Sequence, residues 1–314
     1  MRCFQSNTND TFINLATEEF LLDNCVDDVF ILYINQPSVI VGKHQNAFAE
    51  IDYAFVKQNN ISVARRITGG GTVYHDFGNL NFAFICRKAE VNFEKHTLSI
   101  INALKKLGID ATFGGHHSIL IGDKKISGNA EHLHKNKTLH HGTLLFETNL
   151  DNLEKSLKPV NQTFNDKAVK SVKATVTNIS EHLSSSITIN QFSDFIFDNV
   201  RQYFGNSFVK NLTENEIERI EKLADKKYRQ WKWIYGYSPK FQRVNSIGKW
   251  TINFSVENGI IKQMDLKNDS TNYQPFSNSL IGCELSEQNI KLKFDNFIEA
   301  VNLSFDEFIK LTFC

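Results

Sequence analysis

Three consecutive glycines, Gly69-Gly70-Gly71, stand between two runs that read as strands, and no other stretch of the 314 residues restricts the fold so strongly. A glycine has no Cβ and reaches positive φ without strain, so neither a helix nor a continuous strand crosses this point. The full segment is Arg65-Arg66-Ile67-Thr68-Gly69-Gly70-Gly71-Thr72-Val73-Tyr74-His75-Asp76. Its bare backbone N–H groups can approach a ligand and form an anion-binding nest. Arg66 at its edge offers a phosphate a planar fork of donors. The same composition also suits a flexible connection between strands. No Gly-Lys-Ser/Thr follows, and no GxGxxG opens a helix, so neither a Walker loop nor a dinucleotide fingerprint is present.

Around this loop the patterning alternates between helix and strand. Apolar spacing predicts helices over Thr11–Cys25, Ile51–Gln58, Asn92–Leu107, Leu150–Leu157, Gln191–Phe204 and Glu214–Arg229. The last begins with the capping box Thr213-x-x-Glu216. Strands are predicted at Val29–Ile34, Ser38–Val41, Ile61–Arg65 and Asn79–Ile85, with Leu80, Phe82 and Phe84 sharing a face. Residues 118–147 read as a meander: Ser118–Ile121, a turn at Gly122-Asp123-Lys124, Ile126–His134, a turn at Asn136-Lys137, then Leu139–Phe146. Further on, Trp250, Ile252, Phe254 and Val256 alternate, Asn258-Gly259 turns, and Ile260, Lys262, Met264 and Leu266 alternate again. This is a strong hairpin signal. Ser304-x-x-Glu307 caps a final helix. The expected architecture is α+β: mixed β-sheets flanked by helices over residues 1–243, and a small α+β accessory domain over 244–314.

Composition narrows the class of function. Lys+Arg and Asp+Glu are 35 each, so the formal net charge is zero, and any anion site must be a local cluster rather than a basic coat for nucleic acid. The 26 Phe against 4 Pro favour a large ordered core. Val29–Ile34 is far shorter than the ~20 residues of a membrane helix, and Met1–Asp10 holds no signal or transit pattern. The five cysteines are scattered without a CxxC, which argues against a disulfide framework or zinc knuckle. A cytoplasmic protein, with no nucleic-acid or membrane partner, is expected.

A second segment with chemical potential is Lys124-Lys125-Ile126-Ser127-Gly128-Asn129-Ala130. Lys124 at the turn reads as solvated. Lys125 is expected to share a strand face with Ser127, with a glycine one step on, and could present its ammonium to a carboxylate or phosphate approaching over Gly128. Six of the ten histidines lie between His116 and His141. Neighbours such as His140 and His141 point to opposite faces of a strand, whereas His132 and His134 share one. No cysteine is near, and Glu131 is the one acidic neighbour, so no metal site is assigned. Some of these rings are expected to line a polar pocket. GxSxG, HExxH and EF-hand patterns are missing.

These residues together resemble the lipoate–protein ligase A family, within the biotin/lipoate ligase superfamily. Arg65 through Phe84 is similar to its glycine-rich signature, and Lys125-Ile-Ser-Gly-Asn-Ala to its catalytic-lysine motif. Leu139-His-His-Gly-Thr-Leu-Leu-Phe and Val169-Lys-Ser-Val-Lys-Ala-Thr-Val-Thr-Asn-Ile follow in the family's order. Asn14-Leu-Ala-Thr-Glu-Glu, Val41-Gly-Lys-His-Gln-Asn and Trp231-Lys-Trp-Ile-Tyr-Gly-Tyr-Ser-Pro-Lys-Phe also fit. The resemblance implies an ATP-dependent ligase that forms lipoyl-AMP and transfers the lipoyl group to a lysine of lipoyl domains. The acceptors implied are 2-oxo-acid dehydrogenase E2 subunits and the glycine-cleavage H protein, and ATP, Mg²⁺ and lipoate are the implied small molecules. Lys125 is implied as the catalytic cation. Arg66, Gly70, Gly71, Thr72, Val73, Tyr74 and His75 are implied at the nucleotide, and His141 in the pocket. Val39, Val73 and Leu15 are candidates for an apolar slot.

The chain departs from the family where Arg-Asn-Asp usually precedes the hairpin strand: here His116-His117-Ser118 stands, without the carboxylate that helps position nucleotide and magnesium. Lys173, Thr175 and His132 stand where members carry arginines. Two related readings stay open: an ATP-independent octanoyl or lipoyl transferase of the same fold, and a non-catalytic module that binds lipoyl domains. A biotin ligase shares the general architecture but has different glycine-rich and lysine motifs.

Overall fold

The computed structural model describes residues 1–87, 93–115, 117–157, 164–269, 271–297 and 303–314. In chain order the elements are β1 (Arg2–Gln5), α1 (Thr11–Asn24), β2 (Val29–Ile34), β3 (Ser38–Val41), α2 (Ala47–Glu50), α3 (Tyr53–Gln58), β4 (Ser62–Arg65), β5 (Val73–His75), β6 (Asn79–Arg87) and α4 (Phe93–Lys106). The meander follows as β7 (Ala111–Gly114), β8 (Ser118–Ile121), β9 (Lys124–His134) and β10 (Lys137–Leu145), then α5 (Leu150–Ser156), β11 (Phe164–Asp166), α6 (Ile189–Phe204), β12 (Phe208–Val209) and α7 (Glu214–Leu223). The tail holds β13 (Phe241–Ile247), β14 (Trp250–Glu257), β15 (Ile260–Asn268), β16 (Thr271–Asn272), α8 (Gln274–Leu280), α9 (Glu287–Phe294) and α10 (Phe305–Phe313).

Three sheets result. An eight-stranded mixed sheet runs β12-β1-β2-β6-β10-β9-β8-β7, a three-stranded sheet β4-β3-β5, and a five-stranded tail sheet β11-β13-β14-β15-β16. The architecture is the expected α+β arrangement. β6 is buried along nearly its whole length because both faces of the large sheet are covered. Leu80, Phe82 and Phe84 do share a face, which α4 and α6 cover with Ile100, Leu104, Phe192 and Ile196. Ala83 and Ile85 enter a second core on the other face, with Leu15 and Leu21 of α1 and Ile220 of α7. Each such side chain withdraws about 1.5–3 kcal/mol worth of apolar surface from water.

Helix ends follow their capping residues. The Asp10 carboxylate accepts from the N–H groups of Phe12 and Ile13, so α1 starts at Thr11. The capping boxes at Thr213 and Ser304 are both formed. The helix expected over Ile51–Gln58 is shorter, α3 alone, and a separate turn of helix, α2, precedes it. Ile51 bridges to Leu157, and the Asp52 side chain restarts the helix by accepting from Phe55 N–H. The helix expected to reach Arg229 changes at Ala224 into a π-helical turn through Tyr228. In the tail, Asn258 and Gly259 both take positive φ, 53° and 75°, as a two-residue hairpin turn requires.

Both predicted meander turns shift by a residue: Lys124 and Lys137 already belong to strands, and the turns are Gly122-Asp123 and Lys135-Asn136. The expected division after residue 243 falls inside β13, whose pairing with β14 begins at Phe241. β13 also pairs with β11 from the larger body. No helix among the described residues is long and apolar enough to cross a membrane.

Candidate active site

A cavity of about 360 Å³ opens where the small sheet meets the large one. Ile40 of β3, Val73 and His75 of β5, Asn81 of β6, Gly128 to Ala130 of β9 and His141 to Thr143 of β10 line it, together with the glycine-rich loop and residues 169–172. This is a usual size for a small-molecule site.

Of two adjacent arginines, Arg66 lines the cavity and Arg65 does not. Arg65 is fully buried and donates to the carbonyls of Gly42, Lys43, Gln45, Trp233 and Ile234 and to Ser238 Oγ. Arg66 turns under the glycine loop. Its Nε donates to Thr68 Oγ1 at 2.9 Å, Nη1 to Ile40 O at 3.0 Å, and Nη2 to Gly69 O and Gly71 O at 2.6 and 2.7 Å. Four of its five N–H donors are therefore engaged by the protein. Burial pulls both guanidinium pKa values down to about 10, still cationic at neutral pH. Arg66 thus shapes the loop and brings a positive charge to the cavity wall. Gly70 takes φ +89°, and a Cβ on Gly42 would stand 2.1 Å from Gly70 O, so the loop turns only over a glycine neighbour.

Lys125 enters from the meander. The β8–β9 pairing carries an extra residue, since Ile119 faces Ser127 while Leu120 faces Lys125. Such a bulge breaks strict alternation and re-aims a side chain, so Lys125 and Ser127 do not simply share a face. The Lys125 backbone is tied to the next segment by Lys125 N–H to Thr175 O (2.8 Å) and Thr177 N–H to Lys125 O (3.2 Å). Its side chain lies over Gly128: a Cβ there would stand 3.2 Å from Cε and Nζ. Lys125 Nζ has no carboxylate or other hydrogen-bond partner among the described residues, and burial lowers its pKa below the ordinary 10.5. Lys124 is exposed, as expected.

His141 sits deeper. Its Nδ1 lies 2.8 Å from the Glu18 carboxylate and its Nε2 2.8 Å from Thr68 Oγ1. The Tyr33 hydroxyl donates to the same carboxylate at 2.8 Å. With both ring nitrogens taken, His141 braces Thr68, and through it Arg66. His75 Nδ1 meets Asn35 Nδ2 at 3.0 Å. Burial, reinforced by the Arg66 guanidinium, holds the His75 pKa down to about 3.

Residues 167–175 form a strap across the glycine loop, pinned at Ser171. The Ser171 hydroxyl donates to the Glu50 carboxylate and accepts from Gln45 Nε2 (3.1 Å) and Thr72 N–H (2.9 Å). Burial pushes the Glu50 carboxyl up from its ordinary range.

Of the expected site residues, Arg66, Gly70, Gly71, Thr72, Val73, His75, Lys125 and His141 converge on the cavity. Tyr74 does not. Strand alternation sends its ring into the core beyond, with Val41, Ile51 and Val56. Leu15 and Val73 line the cavity, but Val39 faces that same outer core and Ile40 takes its place. His116 lies outside the described residues. His140 faces Glu131, away from His141, and the His132 and His134 rings stack 6.2 Å apart. Sequence reasoning missed Glu18, Asn35 and Ser171. Glu18 and Ser171 lie inside the family-like segments 14–19 and 169–179 without having been singled out there, and Asn35 lies in the connection between β2 and β3 with no motif around it. No carboxylate lines the cavity, and no group of three or more metal-binding side chains occurs among the described residues. These residues do not fit an octahedral Mg²⁺ site, which uses one or two protein carboxylates.

A family model described as the lipoyl protein ligase A/B catalytic domain matches residues 10–201. The chain is 40% identical over 296 residues to lipoate–protein ligase 1 of Staphylococcus aureus, covering 89% of each. Among solved structures, it resembles a lipoate-protein ligase A bound with ATP, with TM-score 0.65 and 28% identity, covering 75% of this chain and 98% of that one. It also resembles a bipartite lipoate protein ligase from Thermoplasma acidophilum, studied with its E2 lipoyl domain, with TM-score 0.64 and 27% identity, covering 75% and 95%.

Proposed function

Starting from the fact that this chain is an enzyme of the lipoate–protein ligase family, we propose that it activates lipoate with ATP and transfers the lipoyl group to a lysine of a lipoyl domain. A lipoate carboxylate oxygen attacks the α-phosphorus of ATP, the bond to the departing phosphate breaks, and pyrophosphate leaves. The acceptor amine then attacks the acyl carbon of lipoyl-AMP, loses a proton and expels AMP.

The observation that carries this reading is the unpaired Lys125 ammonium, half-buried over Gly128 beside the glycine loop. A cation without a protein counter-ion is ready for an anionic ligand. In a site sheltered from water it offsets the charge that builds between carboxylate and phosphate. The backbone of Gly70, Gly71 and Thr72 supplies the cradle for phosphate, with Arg66 and His141 as its supports. The apolar tail of the acid fits beside Leu15, Ile40 and Val73. The strap and loop shield the mixed anhydride from hydrolysis. The region from β13 onward serves as the accessory domain, and lipoyl domains of E2 subunits and of the glycine-cleavage H protein are the acceptors.

Lipoate-dependent exchange of labelled pyrophosphate into ATP tests the reading. Lys125→Ala is expected to lower it by about 10²–10³-fold. The lysine acts as a cation and burial draws its deprotonation below 10.5. Wild-type exchange therefore declines as pH rises, at a lower pH than a free lysine would give. Absence of exchange with lipoate or octanoate at saturating MgATP refutes the ligase. Acyl transfer to a lipoyl domain without ATP would instead identify the transferase.

A further inference from the structure

Asn14, Asn35 and His75 form a hydrogen-bonded series that no step above uses. It starts from a fixed acceptor, the carbonyl of Thr8, which takes a hydrogen bond from Asn14 Nδ2 at 3.1 Å. At the other end of that amide, Ser6 Oγ donates to Asn14 Oδ1 at 2.7 Å. Asn14 Nδ2 also donates to Asn35 Oδ1 at 2.9 Å. Asn35 must then turn its nitrogen toward His75 Nδ1, 3.0 Å away. An amide nitrogen only donates, so Nδ1 accepts and the ring proton resides on Nε2. Asn14, Asn35 and His75 are 2%, 0% and 4% exposed, which denies water the chance to reverse this order.

The remaining polar atom of the ring is the informative one. His75 Nε2 is buried without a partner, and His75 borders the cavity. A buried donor left unmade is costly and calls for a ligand acceptor. We infer that Asn35, held by Asn14, is a positioning residue that fixes His75 as its Nε2–H tautomer, so that the ring donates into the cavity to an anionic oxygen of the bound substrates. The neighbouring Arg66 charge favours an anion there. The identity of the substrates rests on the ligase reading. Within it, the sulfurs of lipoate are weak acceptors, whereas its carboxylate and the phosphates of the nucleotide are strong ones.

The test begins with the wild-type chain carrying ¹⁵N-labelled histidine, the His75 signals being assigned by their loss in His75→Gln. Long-range ¹H–¹⁵N spectra are expected to show the proton on Nε2. Octanoate alone should shift that nitrogen if its partner is the carboxylate, and ATP alone if it is a phosphate. In Asn35→Asp the carboxylate only accepts a hydrogen bond, so the ring proton is expected to move to Nδ1 and donate to it. It should raise KM for the matching substrate by about tenfold or more. Adding Asn35→Asp to His75→Gln should cost nothing further, because glutamine brings its own amide donor. A wild-type ring protonated on Nδ1, no shift with either ligand, or an Asn35→Asp variant with unchanged KM would overturn the inference. The tautomer and ligand shifts are read without turnover, so a wild-type chain inactive in pyrophosphate exchange counts against the ligase reading alone.

Discussion

Gly128 lies beneath the side chain proposed as the catalytic cation, and the nearest atoms to a Cβ there would be Lys125 Cε and Nζ, each at 3.2 Å. Both belong to the far end of a flexible chain. Gly128→Ala therefore costs the fold little but displaces the ammonium by a few tenths of an ångström. Pyrophosphate exchange is expected to fall by about tenfold while the melting temperature stays within about 2 °C of wild type. Steady-state assay beside calorimetry checks both halves, and unchanged activity would mean that the ammonium's position does not matter. The motif around Lys125 was legible in the sequence because a lysine near a glycine after a turn is a local pattern. Arg66 was legible as a site residue, but its engagement with Gly69 O and Gly71 O was not, since those bonds depend on the path of the loop. Tyr74 was carried over with its neighbours from the resemblance, and its ring turns to the outer core instead of the cavity because alternate residues of β5 face opposite sides.

The elements that close the cavity are short or irregular. β5 has three residues, and the strap has no regular structure, so neither leaves a periodic trace. By contrast β6 and β10 are nine residues each and pair along their length; Leu80, Phe82 and Phe84 marked β6, and the turn before Leu139 marked β10. The bulge in β9 is invisible in sequence because an extra residue shows only against its partner strand. The strap's hold on the loop passes through one hydroxyl, Ser171, which meets Glu50, Gln45 and Thr72. Ser171→Ala removes that pin and takes from the buried Glu50 carboxylate one of its hydrogen-bond donors. Trypsin is expected to cut faster at Lys167, Lys170 or Lys173 in the variant, and the KM for ATP to rise several-fold. Equal cleavage rates for variant and wild type would show that the strap is held elsewhere.

At the scale of the whole molecule, the tail is fastened to the larger body by rings. Phe48 of α2 lies 5.0 Å from Tyr235, 5.5 Å from Phe313 and 6.0 Å from Phe241, while Tyr53 stacks on Phe313 at 4.7 Å. A Cβ on Gly259, in the tail hairpin, would stand 2.8 Å from Gly236 Cα and from the Trp231 ring, so the two parts touch backbone to backbone there. Phe48→Ala removes the central ring of this seam and is expected to cost about 3–5 kcal/mol. Scanning calorimetry should then resolve the tail's melting from that of the body. One unshifted transition would exclude the seam as the fastening. The hairpin itself was evident from Asn258-Gly259, but the seam was not, because its rings lie far apart in the chain.

One pairing gives the seam a mechanical meaning. β11 belongs by sequence to the larger body yet hydrogen-bonds to β13, and the strap begins at the very next residue, 167. The tail sheet thus holds the tether from which the roof of the reaction chamber hangs. In the proposed two-step reaction, a rotation of the tail that admitted a protein acceptor would act as a lever on that roof, and one displacement would then govern both entry of the second substrate and shelter of the activated first one.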